Sequence, residues 1–254
     1  MTVQVRICHL YPDVMNLYGD QGNIMALYQR CLWRDLDVSV ELLTVGEPFS
    51  PGAYDVIFVG GGQDREQRII WGDLREKGEA LREAVEEGVA LLAVCGGYQL
   101  LGERYVSADG GEMTGIGIFD LHTTAGKGRL IGNAVVASPH LPSPGTLVGF
   151  ENHGGRTHLG ADAQPLGAVL AGNGNNGGDG TEGCVYRNAF GTYLHGSLLP
   201  KNPHLADLIL TRGLQRRYPG YQLAPLDDEL EWTAHRTALR RAGIREQQPG
   251  ARSG

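Results

Sequence analysis

A chain of 254 residues, 41% hydrophobic and 20% charged, has the make-up of a soluble, well-cored protein and is long enough for one large α/β domain or two small ones. Its net charge of -7 excludes a general affinity for nucleic acid, which needs clustered Lys and Arg to displace counterions. No apolar run approaches the roughly 20 residues that span a bilayer, and no basic stretch followed by an apolar one suggests a secretory signal.

In chain order, "VQVRICHL" and "VSVELLTV" are rich in β-branched residues, and "NIMALYQRCLWRDL" between them has apolar positions at helical spacing. "YDVIFVGGG" is a short apolar run stopped by glycines. "DLREKGEALREAVEEG" predicts one amphipathic helix ending at Gly88, and "VALLAVCGG" a second buried strand. Such alternation predicts an α/β fold, a doubly wound and mostly parallel sheet with helices on both faces. Functional groups in such sheets gather at the carboxyl ends of the strands, where "GGG" at 60–62 and "CGG" at 95–97 fall. Farther on, "GIGIFDLHTTAG", "LIGNAVVAS", "TLVGFENHGG", "GAVLAG" and "GCVYRNAFGTYLHGS" read as closely spaced short strands, an antiparallel extension at one side of the sheet. "GNGNNGGDG" at 172–180 is expected to be a flexible loop, because nothing in it packs. Helices are expected near 203–218 and 226–242, within a single domain over 1–245, and the tail 246–254 is expected to be disordered.

Cys8, Cys31, Cys95 and Cys184 include no C-x-x-C pair, which argues against a zinc knuckle or a dithiol redox site and for the reducing cytosol. Three of them sit among apolar neighbours and read as packing residues. Cys95 differs. It ends a strand, with small residues two before and two after it, Ala93 and Gly97, and "YQLLGERY" can begin a helix. A nucleophile elbow needs that pattern, because the chain crosses itself closely at the turn. A helix N-terminus offers unpaired amides and a positive partial charge, the setting in which thiolate is favoured over thiol. The amide of Gly96, next after the nucleophile, is placed to bind an oxyanion. A thiolate also needs a proton carrier. Among eight histidines, His195 ends "AFGTYLH" and meets a Gly-Ser turn, while His153 in "GFENHGGRT" competes by the same test. Spacing alone does not choose between them.

"VCGGYQLLG" resembles the nucleophile motif of class I glutamine amidotransferases, in the CobB/CobQ-like branch typified by the glutaminase domain of cobyric acid synthase. Within that branch "LYPDVMNLYGDQGNI", "GKGRLIGN" and "GFENHGGRT" resemble the glutaminase subunits of lipid II isoglutaminyl synthases. The resemblance implies that Cys95 attacks the amide of L-glutamine and that His195, rather than His153, is the general acid/base. It implies that Gly61 in "GGGQDRE" gives a second oxyanion amide beside Gly96, and that Arg129 holds the substrate, a guanidinium being apt for an α-carboxylate. One departure stands out. Many relatives carry an acid two residues after the histidine, and here the run is His195-Gly196-Ser197, so either another acid of this chain or a partner orients the imidazole; the resemblance favours the partner.

Neither "NLYGDQGN" nor "AGKGR" matches the phosphate-binding G-x-x-x-x-G-K-[ST] spacing. No metal site or cofactor is expected in this chain. Amide synthesis from ammonia requires activation, so ATP and Mg are expected in a separate partner, which the resemblance implies to be a MurT-type, Mur-ligase-like synthetase amidating D-glutamate of the lipid II stem peptide. A cytoplasmic location at the inner face of the membrane follows from such a lipid-linked substrate. The alternatives are a glutaminase for another amidation such as that of cobyrinate, a non-catalytic flavodoxin-like domain, and a cysteine peptidase or chaperone of related fold.

Overall fold

The computed structural model describes residues 3–195 and 197–244, so the expected disorder of 246–254 lies outside the described residues. The chain builds β1 (Gln4–Leu10), α1 (Gln21–Leu32), β2 (Asp37–Leu43), β3 (Val56–Val59), α2 (Asp64–Glu76), α3 (Gly78–Glu86), β4 (Ala90–Val94) and α4 (Gly96–Leu100). There follow β5 (Arg104–Val106), β6 (Glu112–Thr114), β7 (Leu121–Ala137), β8 (Thr146–Leu159), β9 (Gly167–Ala171), β10 (Thr181–Glu182), β11 (Cys184–Tyr186) and β12 (Ala189–Thr192). Two helices, α5 (Pro203–Arg217) and α6 (Glu229–Arg241), close the described chain.

The first sheet has the order β11-β12-β4-β3-β1-β2, parallel except for the edge strand β11. Every residue of β3, β4 and β12 is buried, as expected of strands covered on both faces, whose sequences are continuous apolar runs. α1 packs through Ile24, Leu27 and Cys31, one helical stripe, and its buried Arg30 is gripped by Asp207 of α5 and by Asp228. The order reverses between β1 and β3, and α/β sheets of this winding place their crevice at that switch, beyond the carboxyl ends of the strands.

The other strands do not extend this sheet at its edge. They form a second sheet, β10-β9-β7-β5-β6, with β8 also paired to β7. Within it β7 pairs with β8 along its length and also with β5 and β9. The predicted helix ending at Gly88 is two helices. α2 begins nine residues earlier than read, at Asp64, where Gln63 and Glu66 cap each other's backbone in a reciprocal box. It stops at Lys77, whose ammonium is buried against Asp73, and α3 starts at Gly78, where a side chain would press on Ile116. The glycine-rich stretch 172–180 is anchored. Asn175 is fully buried, exchanging hydrogen bonds with Gly183 in both directions and accepting one from Tyr98, while the Glu151 carboxylate takes the amides of Asn173 and Gly174. Polar side chains aimed at backbone groups do here what apolar packing does elsewhere.

Candidate active site

Four strand ends of the first sheet converge. β4 runs into Cys95, which adopts φ 49°, ψ -105° and hands the chain to α4. A non-glycine residue in the left-handed region costs of order 1–3 kcal/mol and persists only where its surroundings impose it. The surroundings do: the Cys95 amide donates to Thr192 O at 2.8 Å, and its carbonyl accepts from Gln99 at 2.9 Å. Gly97 and Gly96 are obligatory beside it. A Cβ on Gly97 would lie 2.8 Å from Gly60 O, and one on Gly96 would lie 2.5 Å from Gly62 O. The small residues read from sequence thus mark the close crossing of the elbow over the β3 loop.

His195 follows β12 and is fully buried. Its backbone is pinned to Phe150 of β8 by two hydrogen bonds, 2.7 and 3.3 Å. The loop after β1 supplies its acid: Asp20 Oδ1 stands 3.5 Å from His195 Nδ1, and both side chains are wholly buried. Burial opposes the imidazolium, but Cys95 and then Asp20 outweigh it and hold His195 up to about 10. A charged histidine against a cysteine is the ion-pair setting for thiolate attack. The Asp20 contact is longer than a strong hydrogen bond, as catalytic contacts commonly are before substrate tightens them.

The structure bears on two expectations. An acid able to orient the imidazole stands in this chain, Asp20 in "NLYGDQGN", far from His195 in sequence and adjacent in space. Gly61 does not present a free oxyanion amide, because its N–H donates to Asp20 Oδ2 at 2.6 Å. Gly61 is needed for a steric reason instead: a Cβ there would lie 2.9 Å from His195 Cε1, 3.1 Å from Asp20 Oδ2 and 3.4 Å from Cys95 Cβ. The amide left over in that loop belongs to Gly62, which lines the cleft and packs against Gly96. Among the described residues neither the Gly62 nor the Gly96 N–H has a partner.

The Asp20 loop is interlocked with its neighbours. Leu17 N donates to Gly61 O, and Ser197 Oγ donates to Gly19 O, so the segments bearing Asp20, Gly61 and His195 brace one another. Behind His195, Glu182 is fully buried and takes the Tyr193 amide and the Thr192 hydroxyl; burial pushes it up to about 7, against those two bonds.

A cleft of about 380 Å³ opens over Cys95 and is lined by Tyr18, Gly62, Gln67, Gln99, Arg129 and His153 among others. Arg129 sits on a bulge where Gly126 to Arg129 of β7 face Gly154 alone on β8. Arg156 staples the bulge by donating to the carbonyls of Gly154, Gly155, Lys127 and Gly128. Arg129 itself donates through Nε and Nη2 to the Asn152 side chain and carbonyl, at 2.6 and 2.5 Å, which leaves Nη1 for a ligand. His153 lines the same cleft, but its ring lies flat on Tyr193 at 3.6 Å and its Nδ1 is taken by Gly155 O, so it forms wall. Under the floor a buried row runs from Gln67 through Gln99 to the Tyr193 hydroxyl and Thr157.

The other three cysteines are buried thiols remote from this chemistry. Burial raises all of them, Cys31 and Cys184 to about 12 and Cys8 further. Among the described residues no helix is long and apolar enough to cross a membrane.

Residues 6–203 match the model of the CobB/CobQ-like glutamine amidotransferase domain. The chain is 41% identical over 239 residues to the GatD subunit of the glutamine-hydrolysing lipid II isoglutaminyl synthase of Staphylococcus aureus, covering 94% of this chain and 96% of that one. It is 41% identical to the GatD subunit of Streptococcus pneumoniae over 85% of this chain and 82% of the relative. In fold it is similar to a structure of PurLQS from Thermotoga maritima, with a TM-score of 0.59, 14% identity, and coverage of 84% of this chain and 99% of the other.

Proposed function

The chain belongs to the CobB/CobQ-like glutamine amidotransferase family, and within it to the glutamine-hydrolysing GatD type; from that premise we propose how its cleft works and what it supplies. The observation that carries the reading is the assembly of Cys95, His195 and Asp20 at one sheet edge, beneath a cleft whose far wall presents Arg129.

Arg129 takes the α-carboxylate of L-glutamine and brings the side-chain amide over Cys95. The sulfur attacks the amide carbon, and the resulting oxyanion rests between the amides of Gly96 and Gly62, which replaces Gly61 in the role expected from sequence. His195 gives its proton to the nitrogen as the carbon–nitrogen bond breaks, so ammonia leaves and a γ-glutamyl thioester remains. Neutral His195 then takes a proton from water, whose oxygen attacks the thioester, and glutamate departs as the Cys95 thiolate leaves, restoring the starting pair with charged His195. Asp20 keeps the imidazole aimed and favours its charged form in both steps.

The ammonia goes to a MurT-type ligase that binds ATP and Mg and amidates the α-carboxylate of D-glutamate in lipid II to D-isoglutamine, at the cytoplasmic face of the membrane. What supports this is the identity with GatD subunits over nearly the whole of both chains, together with a sequence that carries no phosphate-loop motif of its own. The test is to purify the chain with the co-expressed ligase of the same genome and supply L-glutamine, ATP, Mg and lipid II. Ammonia release and a one-dalton loss in the stem peptide are expected, the carboxyl hydroxyl being replaced by an amino group. Glutamine hydrolysis without any amidation of lipid II would send the ammonia to another acceptor.

A further inference from the structure

Tyr18 has two engagements that neither the mechanism nor the family match assigns. Its ring meets the His195 imidazole edge-on, at 5.0 Å between centroids and 72° between planes. Its hydroxyl accepts from Asn152 Nδ2 at 2.9 Å. Asn152 Oδ1 in turn accepts from Arg129 Nε, and the Asn152 carbonyl accepts from Arg129 Nη2. Because Oδ1 is committed to a guanidinium N–H, the amide orientation of Asn152 is forced, and its outer N–H needs an acceptor. Tyr18 provides it. The backbone there is φ 55°, ψ 26°, a left-handed residue in the interlocked loop that ends at Asp20.

We propose that Tyr18 is a positioning residue that holds the carboxylate-binding Arg129 and the acid/base His195 in register across the mouth of the cleft. The hydroxyl end sets the Asn152 platform, so that the guanidinium turns its free Nη1 edge to the substrate. The ring end packs edge-on against the imidazole, beside which Gly61 leaves no room for a side chain near Cε1. The guanidinium that takes the α-carboxylate and the imidazole that serves the side-chain amide are thereby held at a fixed separation. This rests on the glutaminase reading, and on the roles given there to Arg129 and His195.

The two ends separate by mutation. Tyr18→Phe removes the hydroxyl and keeps the ring; KM for glutamine is expected to rise about 3- to 10-fold, the worth of one such hydrogen bond, with kcat within about twofold. Tyr18→Leu removes the ring as well, and kcat is expected to fall at least about tenfold in addition. In a double-mutant cycle, Tyr18→Phe should add nothing to Asn152→Ala, because the two break the same link. All are measured on the full chain with its ligase partner, and melting curves establish folding. If Tyr18→Leu does not fold, Tyr18→Phe and the cycle decide alone. An unchanged KM in Tyr18→Phe, additive effects in the cycle, or a fall of kcat alone in Tyr18→Phe would overturn the role of Tyr18. A wild-type complex that hydrolyses no glutamine would instead overturn the glutaminase reading.

Discussion

Replacing Asp20 by Asn tests the internal acid. The substitution is nearly isosteric, and its oxygen can still accept the Gly61 amide now held at 2.6 Å. What changes is the group facing His195 Nδ1: an acceptor with full charge becomes an N–H donor, which disfavours the imidazolium and the productive tautomer. Two unit charges at the observed 3.5 Å, in an effective dielectric of about 20, attract by about 5 kcal/mol, an upper bound on the lost stabilisation. Cys95 also supports the cation, so we expect kcat to fall on the order of 10²- to 10³-fold with KM nearly held. The pH profile carries a second signature. His195 must be protonated to release ammonia, and with its proton held to about 10 the wild-type activity should persist far above the ordinary histidine value before falling. In Asp20→Asn that alkaline limb should move down toward neutrality. Stability follows the same sign: a raised histidine contributes stability that is fully present below about 6.5 and is lost as pH rises toward about 10, so the variant should be destabilised near pH 6 and converge with wild type at high pH. Coupled ammonia release at saturating glutamine from pH 6 to 10.5, with melting curves at each pH, reads all of this. A variant within about threefold of wild type, with an unmoved alkaline limb, would refute the claim that Asp20 acts through His195.

Gly61→Ala should fold, since nothing about its backbone demands glycine, yet lose at least about tenfold in kcat because the methyl would sit 2.9 Å from His195 Cε1. Normal turnover by that variant would show the imidazole to be free to move away. Arg129→Ala should cost about 2–4 kcal/mol in kcat/KM, mostly through KM, and Arg129→Lys should recover only part of it, as steady-state kinetics would show. His195→Ala should lower kcat by about two orders of magnitude or more and His153→Ala by much less, because His153 is locked against Tyr193 as wall; the reverse ordering would exchange their roles.

The elbow was legible because its cause is local. A buried strand, a cysteine and two glycines within three positions describe a crossing that few other structures need, and the contacts of Gly96 and Gly97 with the β3 loop are that crossing. His195 was narrowed to two candidates by its place at a strand end, and the family resemblance favoured the one that lies beside Cys95. Asp20 escaped notice because nothing local marks it. The available signal was positional: an acid among glycines at the carboxyl end of β1, the strand beside the topological switch. The engagement of the Gly61 amide by Asp20 is not legible for a related reason, since a run of three glycines does not say which amide another loop has claimed. The anchored loop at 172–180 shows the limit of reading glycine and asparagine as mobility, for Asn175 packs by hydrogen bonding rather than by apolar area. The division of the antiparallel strands into a second sheet depended on the register of β7 and β8 along their whole length, which short windows of sequence do not contain.

The central claim is that Cys95 alone carries the covalent step, and a glutamine analogue bearing a diazo ketone in place of the amide tests it most directly. Such a reagent uses the Arg129 end of the cleft to place its electrophilic carbon over the nucleophile, and it alkylates the sulfur irreversibly. Intact mass after incubation should show one adduct, peptide mapping should place it on Cys95, and excess L-glutamine should slow its formation. Cys8, Cys31 and Cys184 should stay unmodified, buried as they are with thiols pushed well above the physiological range. An adduct on any of those three, or full glutaminase activity in a protein whose Cys95 is quantitatively labelled, would contradict the account.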